Sequence, residues 1–395
     1  MKYTKNFIKT LVIALCFLSV QLTAKDFAKS MQEMGENAVK GYTQPFVEGI
    51  GVGMNSQWSY TAKTMSFLGL PIGFNAYFGY PIVAVSDKMK TFDFKGEMPV
   101  EPLLKELGIN PEDLNALTEF SDKDYDLTQP LKINAKGVPT IYGSKKAKKV
   151  GTKDVIGDIG TLFDDYNQLV NDFNEALDEE GISEDEVARM STIDMPDSIA
   201  LPFRGLNTSI APTLPPVGVT MSLSKIPVLN NITVGVRWLP ELSNKNLGKV
   251  GMLGFMGKYE FTHLIPVINK LPLIHLSAYY AQTTFDLTVK DVSSLSSFNQ
   301  TAMLQASADL SFLVGVGVYG GIGWEKSSLD IKVEELKITD DMSLPSFKTS
   351  IDGSNNLRTQ LGARFSFLVF DIYADANFGS TTVFNAGIAL GLNGL

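Results

Sequence analysis

The sequence predicts an all-β protein, a closed antiparallel transmembrane β-barrel of about 14 strands carrying a partly helical extramembranous insert. Three observations predict it. Segments of about ten residues alternate strictly between apolar and polar side chains, which is the period of a strand and the length of a membrane-crossing one. Their polar faces carry Arg and Asp as well as Ser and Gly, as a hydrated lumen tolerates. The first residues have the make-up of an export signal.

That signal is read from Lys2, Lys5 and Lys9, the apolar run Leu11 to Val20 and the small residue Ala24. Cleavage after Ala24 makes residues 1–24 a signal peptide and starts the mature chain at Lys25. Cys16, the single cysteine, lies inside the apolar run and is preceded by Leu15, where a lipidation site wants a small residue. Its loss leaves a mature chain without disulfides or a thiolate metal site. The formal charge of −9 becomes −9 − 3 = −12 when the three lysines go, which repels nucleic acid. The longest uncharged stretches after the signal, Gly205 to Ser224 and Ala376 to Leu395, are broken by Pro or rich in Asn, Gly, Ser and Thr, so neither reads as a spanning helix. An exported chain without such a helix is soluble or a barrel, because only helices and closed barrels satisfy every backbone group in lipid.

The alternation is clearest in the C-terminal half. Ala302, Leu304, Ala306, Ala308, Leu310 and Phe312 share one face, opposite Gln305, Ser307, Asp309 and Ser311. Ile232, Val234, Val236 and Trp238 oppose Thr233 and Arg237, and Leu357, Leu361, Ala363 and Phe365 oppose Arg358, Gln360 and Arg364. Phe370, Ile372, Ala374 and Phe378 oppose Asp371, Tyr373, Asp375 and Asn377, and a last segment sets Phe384, Ile388 and Leu390 against Asn385. The same period runs through Ile72 to Tyr80, Val217 to Leu223, Gly251 to Phe261 and Phe285 to Lys290. A soluble sandwich would alternate too, but charges on the wet face and aromatics such as Trp238, Phe261, Phe312, Trp324, Phe370 and Phe378 near strand ends favour a lumen and interfacial girdles. Parity predicts two hairpins. A two-residue loop at Phe367-Leu368 sets Arg364 opposite Asp371, and a three-residue loop of Leu313, Val314 and Gly315 sets Asp309 opposite Tyr319.

The chain divides accordingly: 25–66 is an N-terminal helix (from Lys25 to about Val39) followed by a glycine-rich stretch; 67–95 holds the first barrel strand or strands; 96–201 is an acidic insert; 202–395 holds the main strands. Within the insert, Val155, Ile159, Leu162, Phe163, Tyr166, Leu169, Val170 and Phe173 recur at helical steps, predicting a helix across Asp154 to Met190. Between two strands, His263 to Lys270 reads as a short helix at the membrane surface.

No motif marks a catalytic centre, a metal or a cofactor, and the chain is not expected to be an enzyme. His275 shares the polar face with Ser277, which fits a lumen-lining imidazole better than a hydrolase pair, and His263 marks a strand end. Gly49, Gly51 and Gly53 lack the βαβ setting and lysine of a phosphate loop; they suit an irregular backbone packed inside a narrow lumen. Asp178 to Glu180 with Glu184 to Glu186 does not have calcium-loop spacing and reads as a solvated helix face. Arg237, Asp309, Arg358, Arg364, Asp371 and Asp375 are the polar lumen candidates, either as a selectivity gate or as a cross-strand network bracing a filled barrel.

Short motifs carry a resemblance. Tyr42 to Phe46, Gly49 to Asn55, Trp58, Thr61 to Lys63, Thr91 to Asp93, Pro139 to Gly143 and the passage from Ile265-Pro266 to Pro272 are similar to an uncharacterised family of Bacteroidota outer-membrane barrels. The wider shape resembles the FadL-like long-chain fatty-acid channels, in which a glycine-rich N-terminal segment folds into the barrel as a hatch. The helical insert is longer than the family pattern, and the chain ends Gly394-Leu395 where an aromatic is customary. The resemblance implies an outer-membrane protein made by the barrel-assembly machinery, with Phe46, Gly49, Gly51, Gly53 and Trp58 in the hatch and small hydrophobic molecules passing passively. The alternative is a non-transporting barrel that anchors an envelope or secretion assembly.

Overall fold

The computed structural model describes residues 24–66, 71–98, 131–151, 155–156, 159–179, 192, 198–201, 203–211, 213–224, 230–244, 248–289, 293–311, 315–333, 336–337, 343–344 and 346–391. Residues 1–23, where the sequence predicts a signal peptide, Phe312 and the C-terminal Gly394-Leu395 lie outside these. The chain splits into two compact units, one of Met1–Ala28, Gln44–Asp87 and Thr208–Leu395, the other of Lys29–Thr43 and Lys88–Asn207.

The first unit is a ring of strands. In chain order these are β1 (Ile72–Ala84), β2 (Val217–Leu223), β3 (Ile232–Asn244), β4 (Gly248–Glu260), β5 (Ile274–Val289), β6 (Ser293–Ser311), β7 (Gly315–Val333), β8 (Leu357–Phe367), β9 (Phe370–Phe378) and β10 (Val383–Gly391). Neighbours pair antiparallel in the order β6, β5, β4, β3, β2, β1, β10, β9, β8, β7, and the pairing of β7 with β6 closes the ring. The first and last strands meet with Asn75 opposite Gly391 and Val83 opposite Val383. Closure leaves no membrane-buried edge with unpaired N–H and C=O groups.

Among the described residues, therefore, ten strands close the barrel rather than about 14. The excess has a physical origin. Strands β6 and β7 run 19 residues each, so alternation long enough for two crossings belongs to one strand. Two further strands, Ile210–Ala211 and Phe347–Asp352, add to β1 and to the outer part of β7 without entering the ring.

Burial along the strands is inverted relative to a soluble sandwich. Strand β9 reads exposed at Phe370 and Ile372 and buried at Asp371 and Tyr373. Trp238 is 58% exposed beside Arg237 at 0%, and Phe365 is 45% exposed beside an Arg364 side chain at 12%. An apolar exterior over a polar interior is stable only where lipid replaces water outside.

Both predicted hairpin registers are corrected. Phe367 pairs with Phe370 across a two-residue turn of Leu368 and Val369, so Arg364 faces Tyr373 and Ser366 faces Asp371. Leu368 takes φ of +56° there, a position where glycine is the usual choice, which is why no turn residue advertised it. On the neighbouring hairpin Ser311 pairs with Gly315, so Asp309 faces Gly317, and Tyr319 faces Ser307.

Helix α1 (Ala24–Asn55) contributes its Lys29–Thr43 stretch to the second unit and its Gln44–Asn55 stretch to the first. Pro45 lies at the handover and cannot donate to the carbonyl of Gly41. The glycine-rich stretch is thus helical through Asn55 rather than irregular. A helix needs only small side chains, not unusual dihedrals, to run close to a wall.

The second unit has its own core. Thr91–Met98 pairs with Leu131–Pro139, which pairs with Val155–Ile156, and Lys149–Gly151 pairs with Ser198–Ala200. The strand at Thr91 falls here, so the boundary lies at Lys88 and not near residue 96. Phe203 packs edge-on to Phe92 at 5.3 Å and lies 6.1 Å from Tyr42, and a Cβ at Gly41 would collide with Phe92. The Tyr42 hydroxyl donates to the Arg204 carbonyl at 2.7 Å, and burial pushes its pKa up to about 12. Helix α2 (Ile159–Glu179) covers the centre of the predicted insert helix; residues 180–190 lie outside the described ones.

Candidate functional site in the barrel lumen

The inward face of the strands surrounds the chain from Gln44 to Thr64. A helix terminus leaves its last carbonyls without intrahelical donors, and α1 ends at Asn55 inside the ring. Arg237 on β3 answers that need: its Nη1 donates to the Met54 carbonyl at 2.8 Å and its Nη2 to the Ser56 carbonyl at 2.9 Å. A cation at a helix C-terminus is also favoured by the helix dipole. The same guanidinium lies 3.7 Å from the centre of the Trp58 ring, a cation–π contact strengthened by exclusion of water. Gln57, with φ of +62°, makes the bend that follows.

Past the bend, the segment is tied down residue by residue. Ser56 Oγ and Gln57 Nε2 each donate to Asn385 Oδ1 at 3.0 Å on β10. Gln305 on β6 exchanges two bonds with Ser59, accepting from its hydroxyl at 2.9 Å and donating to its carbonyl at 3.1 Å. The Tyr60 hydroxyl donates to Asp371 at 3.0 Å on β9, accepts from Asn75 on β1, and its ring stacks on Tyr373 at 4.5 Å. Lys258 on β4 donates to the Thr61 carbonyl at 2.9 Å, Ala62 N–H donates to Ser307 at 3.1 Å, and Thr64 N–H donates to Glu260 at 2.5 Å. With Gln360 on β8 also donating to the Ser59 carbonyl at 3.5 Å, contacts from β1, β3, β4, β6, β8, β9 and β10 converge on one segment, which places it within the ring.

Two of the three predicted glycines explain how α1 fits. A Cβ at Gly51 would collide with Ser327 on β7, and one at Gly53 would press on Thr213 at 3.2 Å. Gly49 lies in the same helix. Phe46 packs on the apolar cluster of Ile50, Met54, Met252 and Phe285, and Trp58 on that of Met256, Tyr279, Ala281 and Met303.

The remaining candidates form wall-to-wall networks. Arg358 donates to Asn377 Oδ1 at 2.7 and 2.9 Å and faces Glu325 at 3.3 Å, both partners nearly fully buried. Asp375 accepts from Tyr319 at 2.9 Å, Asn377 at 2.5 Å and Asn385 at 2.6 Å. Arg364 meets Asp309 at 2.8 Å rather than the expected Asp371, because the true hairpin register moves Asp371 opposite Ser366. His275 lines the lumen as read, its Nδ1 2.8 Å from Glu260 and its Nε2 3.8 Å from Asp309. Buried charges paired this way are costly to separate.

Sequence reasoning missed Lys258, Glu260, Gln305 and Asn385 as partners of the segment, although each sits at an inward parity position of a strand it had found. Tyr60 carried no pattern at all. Among the described residues, one cavity beside the segment, lined by Trp58, Tyr60, Asn75, Met256 and Lys258 among others, has a volume of about 20 Å³, room for roughly one water.

Fold and lumen together define a membrane β-barrel whose interior is occupied by its own N-terminal segment. The chain belongs to the family of unknown function DUF6588, matched over residues 1–392. No curated protein matches it. Among solved structures it is similar to Ail, the attachment invasion locus protein of Yersinia pestis, at 14% identity over 40% of this chain and 95% of that one, with a TM-score of 0.23. The β-domain of the Bordetella autotransporter BrkA matches at 6% identity over 44% and 92%, TM-score 0.12, and a triple-mutant Rhodopseudomonas blastica porin at 10% over 50% and 92%, TM-score 0.11. Scores this low add nothing to the barrel that strand register already shows.

Proposed function

We propose that this protein is a non-transporting outer-membrane barrel, sealed by residues 44–64 and serving as an anchor or platform for an envelope or secretion assembly. The observation that carries the reading is the bonding of Met54 to Thr64 to inward side chains on seven strands, β8 included through Gln360 and the Ser59 carbonyl. A resting pore would present unpaired polar walls to solvent; here Arg237, Lys258 and Glu260 spend their hydrogen bonds on the segment's backbone. In this reading the barrel contacts the lipid bilayer of the outer membrane, is inserted by the barrel-assembly machinery, and performs no catalysis.

A second reading keeps a FadL-like passive channel for small hydrophobic molecules, with the segment as a hatch. It is favoured by the apolar lumen clusters around Trp58, Met256 and Met303 and around Phe46, Met252 and Phe285, which would suit a greasy passenger once the segment moved.

Liposome swelling and fatty-acid uptake with purified protein separate the two. A sealed anchor passes neither solute nor fatty acid. Uptake by the intact chain overturns the anchor and establishes the channel.

A further inference from the structure

We infer that the N-terminal segment threads the full length of the barrel, so that the chain ahead of Gln44 emerges at the cell surface, on the face opposite the end of the last strand. The inference rests on the outer-membrane reading and goes beyond it by fixing direction.

The ends of the barrel are told apart by their connections. At one end lie the start of β1, the end of β10 and the connections 224–231, 261–273, 312–314 and Leu368-Val369, none longer than 13 residues. At the other lie the two longest connections, residues 85–216 and 334–356, beside the short ones 245–247, 290–292 and 379–382. Outer-membrane barrels keep short turns on the periplasmic side and long loops outside.

The segment's contacts move from the long-loop end to the short-turn end in strict chain order. Gln44 donates to the Asp352 carbonyl at 2.8 Å and Glu48 accepts from Ser354 at 2.5 Å, both within the 334–356 connection. Gly51 lies against Ser327 and Asn55 donates to the Lys326 carbonyl at 3.4 Å, in the outer part of β7. Ser56 and Gln57 reach Asn385, and Ser59 reaches Gln305. Tyr60 bonds Asp371, next to the start of β9; Ala62 bonds Ser307, near the end of β6; Thr64 bonds Glu260, the last residue of β4. Met65 then lies beside Gly73, at the start of β1. With Gln44 at the long-loop end, the chain enters the lumen there and leaves it at the start of β1. An exported chain whose first strand starts at the periplasmic face has no covalent need to place its N-terminus outside, so threading is a structural choice made by the lumen contacts.

The test uses the full chain in intact cells, with Cys16→Ser in every variant. A short epitope tag is inserted after Lys25; Ser380→Cys reports the long-loop end and Asn269→Cys the short-turn end, both at exposed positions. Antibody should bind the tag on intact cells, and an impermeant maleimide should label Ser380→Cys but reach Asn269→Cys only after permeabilisation. Tag detection only after permeabilisation, with the two cysteines behaving as stated, overturns threading and leaves the outer-membrane barrel standing. If the two cysteines exchange behaviour, the assigned direction is overturned and the outer-membrane barrel stands; if Ser380→Cys is also shielded, the membrane reading fails and the inference with it.

Discussion

Arg237 is fully buried, yet its donors go to two main-chain carbonyls and its face to Trp58 rather than to a carboxylate. It acts as the C-cap of α1 and as a rivet between helix and wall. Arg237→Met keeps the stem but strips the cap, and should lower unfolding stability by about 3 kcal/mol, the sum of two charge-assisted bonds; urea titration in detergent, followed by the heat-modifiable gel band, measures it. Arg358 is a different case. Arg358→Met leaves Glu325 buried without its cation and should cost roughly 3–5 kcal/mol, whereas adding Glu325→Gln should recover most of the loss. A cycle in which the double variant is no better than the single would show that Glu325 is not held by Arg358.

At the scale of elements, α1 fits the lumen because its wall-facing side is thin. Gly51→Ala should strain the helix against Ser327 and cost roughly 1–3 kcal/mol, and Ser327→Gly in the same chain should restore the midpoint. Failure of that rescue would mean the helix does not pack there. The connection 261–273 has a separate task. Leu264, Val267 and Leu271 are exposed although apolar, and Val267 reaches 74%. The sequence predicted one short helix over His263 to Lys270; the structure has instead two separate turns of 3₁₀ helix, Thr262–Leu264 and Ile268–Lys270, with these apolar side chains exposed beside β4 and β5.

For the whole molecule, closure decides which substitutions are tolerated. Ile388 is 57% exposed and faces outward in mid-strand between Phe78 and Ile372. Ile388→Arg should cost about 2–4 kcal/mol in lipid vesicles, the price of a charge near the bilayer midplane. The same change in a water-facing sheet would be close to neutral, so folding titrations in vesicles distinguish the two. The proposed sealing belongs to this scale too: the segment is held by many modest bonds from seven strands, so no single substitution should open the lumen.

What the sequence determined by itself was the period, the parity and the sign of each face. Alternation at Phe370 to Phe378 or Leu357 to Phe365 needs only the residue order, and lipid outside with charge inside follows from which residues alternate. The wet-face candidates Arg237, Asp309, Arg358, Arg364, Asp371 and Asp375 were legible for the same reason. Strand number, register and partnership were not. A two-residue shift at Leu368-Val369 preserves every parity signal while moving Asp371 from Arg364 to Ser366, and a 19-residue strand alternates just as two shorter ones would. Nor can periodicity tell that Arg237 is aimed at a helix end, since that carbonyl comes from residues about 180 positions away. Those choices belong to tertiary structure, because they are set by which backbone groups are left unpaired once the ring has closed around the segment.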